Sequence, residues 1–132
     1  MKLSALFDNA PELEIENLMV DSRQAMPNAI FFCIRGMLHD GHRFVNAAIK
    51  NGAVCVVHSE EIKRNSANVV YIKVRDVVAA LNQVAACFYG YPSKKMVVYG
   101  VTGTNGKSSV ACMIRNLINP IYPCGYIGTI SI

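Results

Sequence analysis

The stretch at residues 97–110, V-V-Y-G-V-T-G-T-N-G-K-S-S-V, constrains this chain more than any other. A β-branched apolar run enters a loop containing Gly103 and Gly106, then continues into residues at helical spacing. That order predicts a strand, a tight turn and a helix in succession. Glycines lack a Cβ, so the backbone can approach an anion closely, and successive amides at the start of the helix can converge on it. The reading is a phosphate cradle formed by Gly103, Thr104, Asn105, Gly106, Lys107, Ser108 and Ser109. Lys107 would reach the outer phosphates and the Ser108 hydroxyl would ligate Mg²⁺. A glycine-rich strand-to-helix turn without ligand is the competing reading. The match to G-x-x-x-x-G-K-[ST] is imperfect, because Val101 occupies the place of the first glycine.

Composition bounds the rest. At 132 residues, one complete domain plus a remnant is expected. A hydrophobic content of 52% with 17% charged residues excludes a disordered chain. The formal charge of +4 is scattered, without a basic run or an aromatic-interleaved patch, so nucleic acid is not an expected partner. Cys33, Cys55, Cys87, Cys112 and Cys124 form no C-x-x-C pair, which predicts reduced thiols rather than zinc or disulfides. No signal peptide and no membrane-length apolar run is read, so a soluble, cytoplasmic protein without a membrane partner is expected.

In chain order, residues 2–7 are expected to form a short helix and 18–20 extended structure leading to Asp21-Ser22-Arg23. Residues 29–34 read as a buried strand, 43–51 as a helix closed by Asn51-Gly52, and 53–57 and 69–74 as further strands. Residues 60–68 read as exposed. Asp76 is placed to cap a long helix ending near Gly90. Tyr91-Pro92-Ser93-Lys94 reads as a linker, giving domains at 1–93 and 94–132. The second would hold a strand at 96–100, a helix at 107–118 and a strand at 125–130. Alternating strands and helices predict an α/β fold with parallel pairing.

The form G-x-x-G-T-N-G-K-[ST]-[ST] at residues 100–109 resembles the ATP loop of the Mur ligase family, ATP-dependent amide-forming enzymes of peptidoglycan synthesis. Asp21-Ser22-Arg23, Ile30-Phe31-Phe32, Gly36, Asp40-Gly41-His42, Phe44 and the segment at 125–130 resemble the branch that adds the third residue of the peptide stem. The resemblance implies a small N-terminal domain that binds the UDP-MurNAc-dipeptide, followed by the start of a P-loop ATPase domain. It implies Ser22 and Arg23 as UDP-substrate contacts, with His39 in a further contacting segment, residues 37–39, that is apolar here. A turn with an exposed ion pair is the alternative for Asp21 and Arg23. For Asp40-Gly41 the alternative is a helix start, and for His39 and His42 a solvated or N-capping histidine.

It implies ATP and Mg²⁺ as cofactors, Lys107 as the catalytic cation, and L-Lys or meso-diaminopimelate as the incoming amino acid. In the family ATP activates a carboxylate as an acyl phosphate that the amino group then attacks. No Asp or Glu follows Asp76, so a second metal ligand or a base is expected elsewhere and the chain reads as the inactive N-terminal part of a longer ligase. The D-Ala-D-Ala-adding branch and a non-catalytic UDP-sugar or nucleotide-binding module are the rival readings.

Overall fold

A computed structural model describes residues 1–36 and 39–128, and the chain divides into two compact units between Pro92 and Ser93. The first unit carries a four-stranded sheet: β1 (Asn17–Met19), β2 (Ala29–Phe32), β3 (Ala53–His58) and β4 (Val70–Lys73). The strands lie side by side in chain order and every pairing is parallel. The expected α/β class with parallel pairing therefore holds for this unit.

The pleat explains how so apolar a run as A-I-F-F is accommodated. Alternate residues of a strand point to opposite faces. Ile30, Phe32, Cys55 and Val57 enter one cluster with Leu3, Ile15, Val77 and Val84. Ala29, Phe31, Cys33 and Val56 enter the other, with Val45 and Ala48. The first face is covered by α2 (Val77–Phe88) and the N-terminal turn, the second by α1 (Val45–Lys50). Both central strands need helices on either side because neither face is polar. Phe31 and Phe32 are almost wholly buried, each contributing about 1.5–3 kcal/mol relative to exposure.

Local chemistry sets the helix ends. The Asp76 carboxylate accepts from the amides of Val78 (2.8 Å) and Ala79 (3.0 Å), as the sequence predicted for the cap of α2. Gly90 has φ +69° just past its end. Residues 2–7 yield only a three-residue 3-10 turn, Leu3–Ala5, because Asp8-Asn9-Ala10-Pro11 stops propagation before an α-helix is established. The helix expected at 43–51 begins as a 3-10 turn, Gly41–Phe44, before α1.

In the second unit α3 spans Lys107–Ile118, matching the reading of 107–118. The strand expected at 96–100 does not form. Val97, Val98 and Tyr99 are 78%, 69% and 68% exposed and carry no ladder partner among the described residues. A strand is defined by its neighbours, and the described residues of this unit provide none. Residues 125–128 are likewise unpaired, and 129–130 of that expected strand lie outside the described residues.

Candidate functional site

In the second unit, the loop after residue 100 turns into α3 through two glycines in the left-handed region: Gly103 with φ +152° and Gly106 with φ +74°. Gly106 is the N-cap and has no side chain to satisfy the amides above it. The first three amides of α3, those of Lys107, Ser108 and Ser109, have no helical carbonyl beneath them, and the Gly106 carbonyl accepts from Val110 instead (2.9 Å). Lys107 folds back over the loop, its Nζ donating to the carbonyls of Gly103 (2.6 Å) and Thr104 (3.3 Å). Thr104 and Asn105 are exposed and Ser108 is half-buried.

The residues of the predicted cradle are thus contiguous in space: unsatisfied amides, a helix dipole and an ammonium group. Together they fit an anion such as a nucleotide phosphate chain. The Ser108 hydroxyl, on the first turn, is an oxygen donor of the kind Mg²⁺ takes. All nine acidic residues of the chain lie in the first unit, whereas the second has Lys94, Lys95, Lys107 and Arg115. Its field is uniformly positive, which favours an anionic ligand.

In the first unit, the Asp21-Ser22-Arg23 knot follows β1. The Arg23 guanidinium forks onto the Asp21 carboxylate, Nη2 at 2.6 Å and Nε at 2.9 Å, and the Arg23 amide also donates to Asp21 (3.0 Å). The Arg23 side-chain hydrogen bond holds the Asp21 carboxyl down at about 2. The exposed ion pair, the alternative raised from the sequence, is what these two residues form. Between them Ser22 is only 7% exposed, and its carbonyl accepts from Asn51 Nδ2 (2.7 Å) at the end of α1. Among the described residues its hydroxyl makes no hydrogen bond, leaving both its donor and its acceptors for a ligand.

Gly52, with φ +106°, packs so tightly against this returning segment that a Cβ would sit 2.7 Å from the Met26 carbonyl oxygen. Asn51 therefore holds the knot in place, a role with no local signal because the two residues are 29 apart.

The loop after β2 carries His39, which is exposed and meets Phe44 edge-on with ring centroids 6.5 Å apart. Met37 and Leu38, the rest of the expected contacting segment, lie outside the described residues. Asp40 caps the 3-10 turn, accepting from the His42 amide (3.0 Å). The helix-start reading of Asp40-Gly41 is thus realised. His42 is not solvated: its side chain is 7% exposed, with Nδ1 2.6 Å from Asp40 and Nε2 near the amides of Ser59 (3.3 Å) and Glu60 (3.4 Å). Asp40, His42 and Glu60 bring possible metal-ligating atoms within 4.8 Å of one another. Both ring nitrogens of His42 already have partners, so this group is a hydrogen-bonded clamp. No recorded contact joins His39 to Ser22 or Arg23.

The model of the Mur ligase family, catalytic domain, matches residues 14–89, more than half of the chain. The chain belongs to the Mur ligase family. It is 38% identical, over 99% of its own length and 28% of the relative's, to UDP-N-acetylmuramoyl-L-alanyl-D-glutamate--2,6-diaminopimelate ligase of Alkaliphilus metalliredigens. It is 42% identical to UDP-N-acetylmuramyl-tripeptide synthetase of Borreliella afzelii, covering 81% of this chain and 22% of that protein. Among solved structures, MurF from Acinetobacter baumannii superposes with a TM-score of 0.66 at 27% identity, covering 88% of this chain and 24% of that one. The chain spans about a quarter of the length of the curated relatives it matches.

Proposed function

We propose that this chain supplies the UDP-substrate-binding domain (1–93) and the opening of the ATP-binding domain (94–132) of a cytoplasmic tripeptide-forming Mur ligase. The whole enzyme would join an amino acid, L-Lys or meso-diaminopimelate, to UDP-MurNAc-L-Ala-D-Glu. The observation that carries this reading is the relative from Alkaliphilus, whose likeness runs through both units rather than through the ATP loop alone. Among the described residues no helix is long and apolar enough to cross a membrane.

The chain's own residues would act as follows. The amides of Lys107, Ser108 and Ser109 would bind the phosphate chain and hold its terminal group in line with the substrate carboxylate. Lys107, now donating to two loop carbonyls, would exchange them for phosphate oxygens and offset charge as it shifts toward the leaving group. Ser108 would help hold Mg²⁺. ATP supplies the activation that turns the carboxylate into an acyl donor. In the first unit, Ser22 would hydrogen-bond the uridine diphosphate portion with its unengaged hydroxyl. Arg23 would have to release Asp21 in part before it could reach a phosphate.

The chain alone should bind without turnover, since no carboxylate follows Asp76 to hold a second metal or act as base. That same observation favours a non-catalytic binding module as the second reading. The D-Ala-D-Ala-adding branch shares the fold, as the superposition with MurF indicates, but at lower identity than the tripeptide-forming relatives. Calorimetric titration of the chain with ATP and Mg²⁺, and separately with UDP-MurNAc-dipeptide, tests the reading. Both should bind, with Lys107→Ala abolishing the first and Ser22→Ala weakening only the second. ATP bound equally by Lys107→Ala would sink the loop assignment. In the complete ligase, phosphate release dependent on one of the two amino acids would name the third residue. Release dependent only on D-Ala-D-Ala would favour the rival branch.

A further inference from the structure

His42 joins two connections that are distant in sequence and adjacent at the carboxyl end of the parallel sheet. One is the segment after β2, containing Arg35, Gly36, His39 and Asp40; the other is the Ser59-Glu60 turn after β3. In open parallel sheets ligands lie beyond the carboxyl ends of the strands, so the relative placement of such connections shapes a binding site.

The hydrogen-bond partners determine the state of the ring. A carboxylate only accepts, so the 2.6 Å contact with Asp40 requires the proton on Nδ1. Backbone amides only donate, so the contacts with Ser59 (3.3 Å) and Glu60 (3.4 Å) require a lone pair on Nε2. These partners fit the Nδ1–H tautomer of His42, and both edges of the ring are committed.

Every other contact here tightens one connection or the other. The Gly36 amide donates to the His39 carbonyl (2.8 Å), closing the loop on itself, and Arg35 and Asp40 form an antiparallel bridge at its base. Gly41 lies so close to the end of β2 that a Cβ would be 2.8 Å from the backbone of Ile34. On the facing side, His58 Nδ1 donates to the Glu60 carbonyl (2.8 Å). Among the described residues a further side-chain link across the gap is Arg35 to Glu60 (2.7 Å), with side chains 72% and 46% exposed. An ion pair that open to water contributes little. The buried imidazole is left as the principal tie between the two connections.

We propose that His42 is a positioning residue: it pins the loop bearing His39 to the turn after β3, and thereby sets the affinity of the first unit for a UDP-linked sugar-peptide. This rests on the assignment of that unit to the UDP-substrate. His42 need not touch the ligand, since its polar atoms are all engaged within the protein.

The test uses the 132-residue chain and three variants, with UDP-MurNAc-dipeptide and ATP titrated separately and melting followed by circular dichroism. His42→Phe keeps an aromatic ring and removes the contacts to Asp40, Ser59 and Glu60; His42→Ala removes the ring as well. Both should lower affinity for the UDP-linked ligand about 10-fold, the size expected when modest hydrogen bonds are lost, with ATP affinity unchanged. His42→Gln, whose carboxamide oxygen can accept from the same amides, should recover part of the loss. Undiminished UDP-ligand affinity in a folded His42→Phe chain overturns the proposal. So does an equal loss for ATP. A parent chain that does not bind the UDP-linked ligand overturns the domain assignment instead. The pin is then decided by ¹⁵N spectra of the imidazole, where a protonated Nε2 refutes it and an Nδ1–H neutral ring upholds it. Those spectra also decide the matter should His42→Phe and His42→Ala fail to fold.

Discussion

Replacing Gly52 by alanine separates two reasons for a glycine that are often confounded. Its φ of +106° is a conformation that costs an L-residue about 1–3 kcal/mol. In addition, the new Cβ would meet the Met26 carbonyl oxygen at 2.7 Å and the Pro27 Cα at 2.9 Å, backbone atoms that cannot swing aside. Overpacking of that kind costs about 1–3 kcal/mol more. The sum, about 2–6 kcal/mol, compares with a total stability of about 5–14 kcal/mol for a unit of this length. At about 4–8 °C per kcal/mol, the melting temperature of the first unit should fall by roughly 10 °C or more. Gly106→Ala is the matched control: φ is +74°, but nothing lies within 4 Å of the added Cβ. Only a conformational penalty, about 1 kcal/mol, applies there, and it falls on the second unit. Thermal melts by far-ultraviolet circular dichroism read the contrast. A Gly52→Ala melt within about 3 °C of the parent, or an equal drop for Gly106→Ala, would refute the steric argument. Because the Gly52 turn holds the segment returning from Ser22, Gly52→Ala should also weaken binding of the UDP-linked ligand.

Asp76→Ala removes the acceptor for two amides at the start of α2 and should cost about 1 kcal/mol in urea unfolding, with Asp76→Asn largely neutral. Asp21 should titrate at about 2 by carboxyl NMR. Its carboxyl is depressed in the folded state, so the benefit of the Arg23 pairing is complete above the ordinary carboxylate value near ~3.9 and is lost as the pH falls toward about 2. Arg23→Gln should return the midpoint to the ordinary range; an unmoved midpoint would show that the fork is not the cause. Burial pushes the Cys33 and Cys55 thiols up to about 12, whereas Cys87, Cys112 and Cys124 are partly exposed. In the folded chain at mildly alkaline pH an aromatic disulfide reagent should modify the last three alone, and the first two only after denaturation.

What could be read along the chain was whatever depends on near neighbours. Asp76 ahead of an apolar helical repeat, Gly90 and Pro92 behind it, and the G-T-N-G-K-S-S run each act within a few residues. α2 and α3 accordingly came out at their expected positions. The same holds for the loop at 103–106, which turns into its own helix and brings its donors together without outside help.

The tertiary structure alone decided matters that depend on distant partners. The run at 96–100 is apolar like β2, yet β2 is a strand because β1 and β3 flank it, and the later run has no neighbour among the described residues to supply a ladder. Ser22 is implied as a UDP contact by resemblance, and it is the return of the chain past Asn51 that buries it. His42 read as solvated, capping or ligand-binding; its clamp exists only because β3 runs parallel to β2 and ends beside it, bringing Ser59 and Glu60 against a ring 17 residues earlier. Backbone propensity and capping are local energies and are written in the sequence order. Strand pairing, burial and the tautomer of a histidine are set by whatever the fold places opposite.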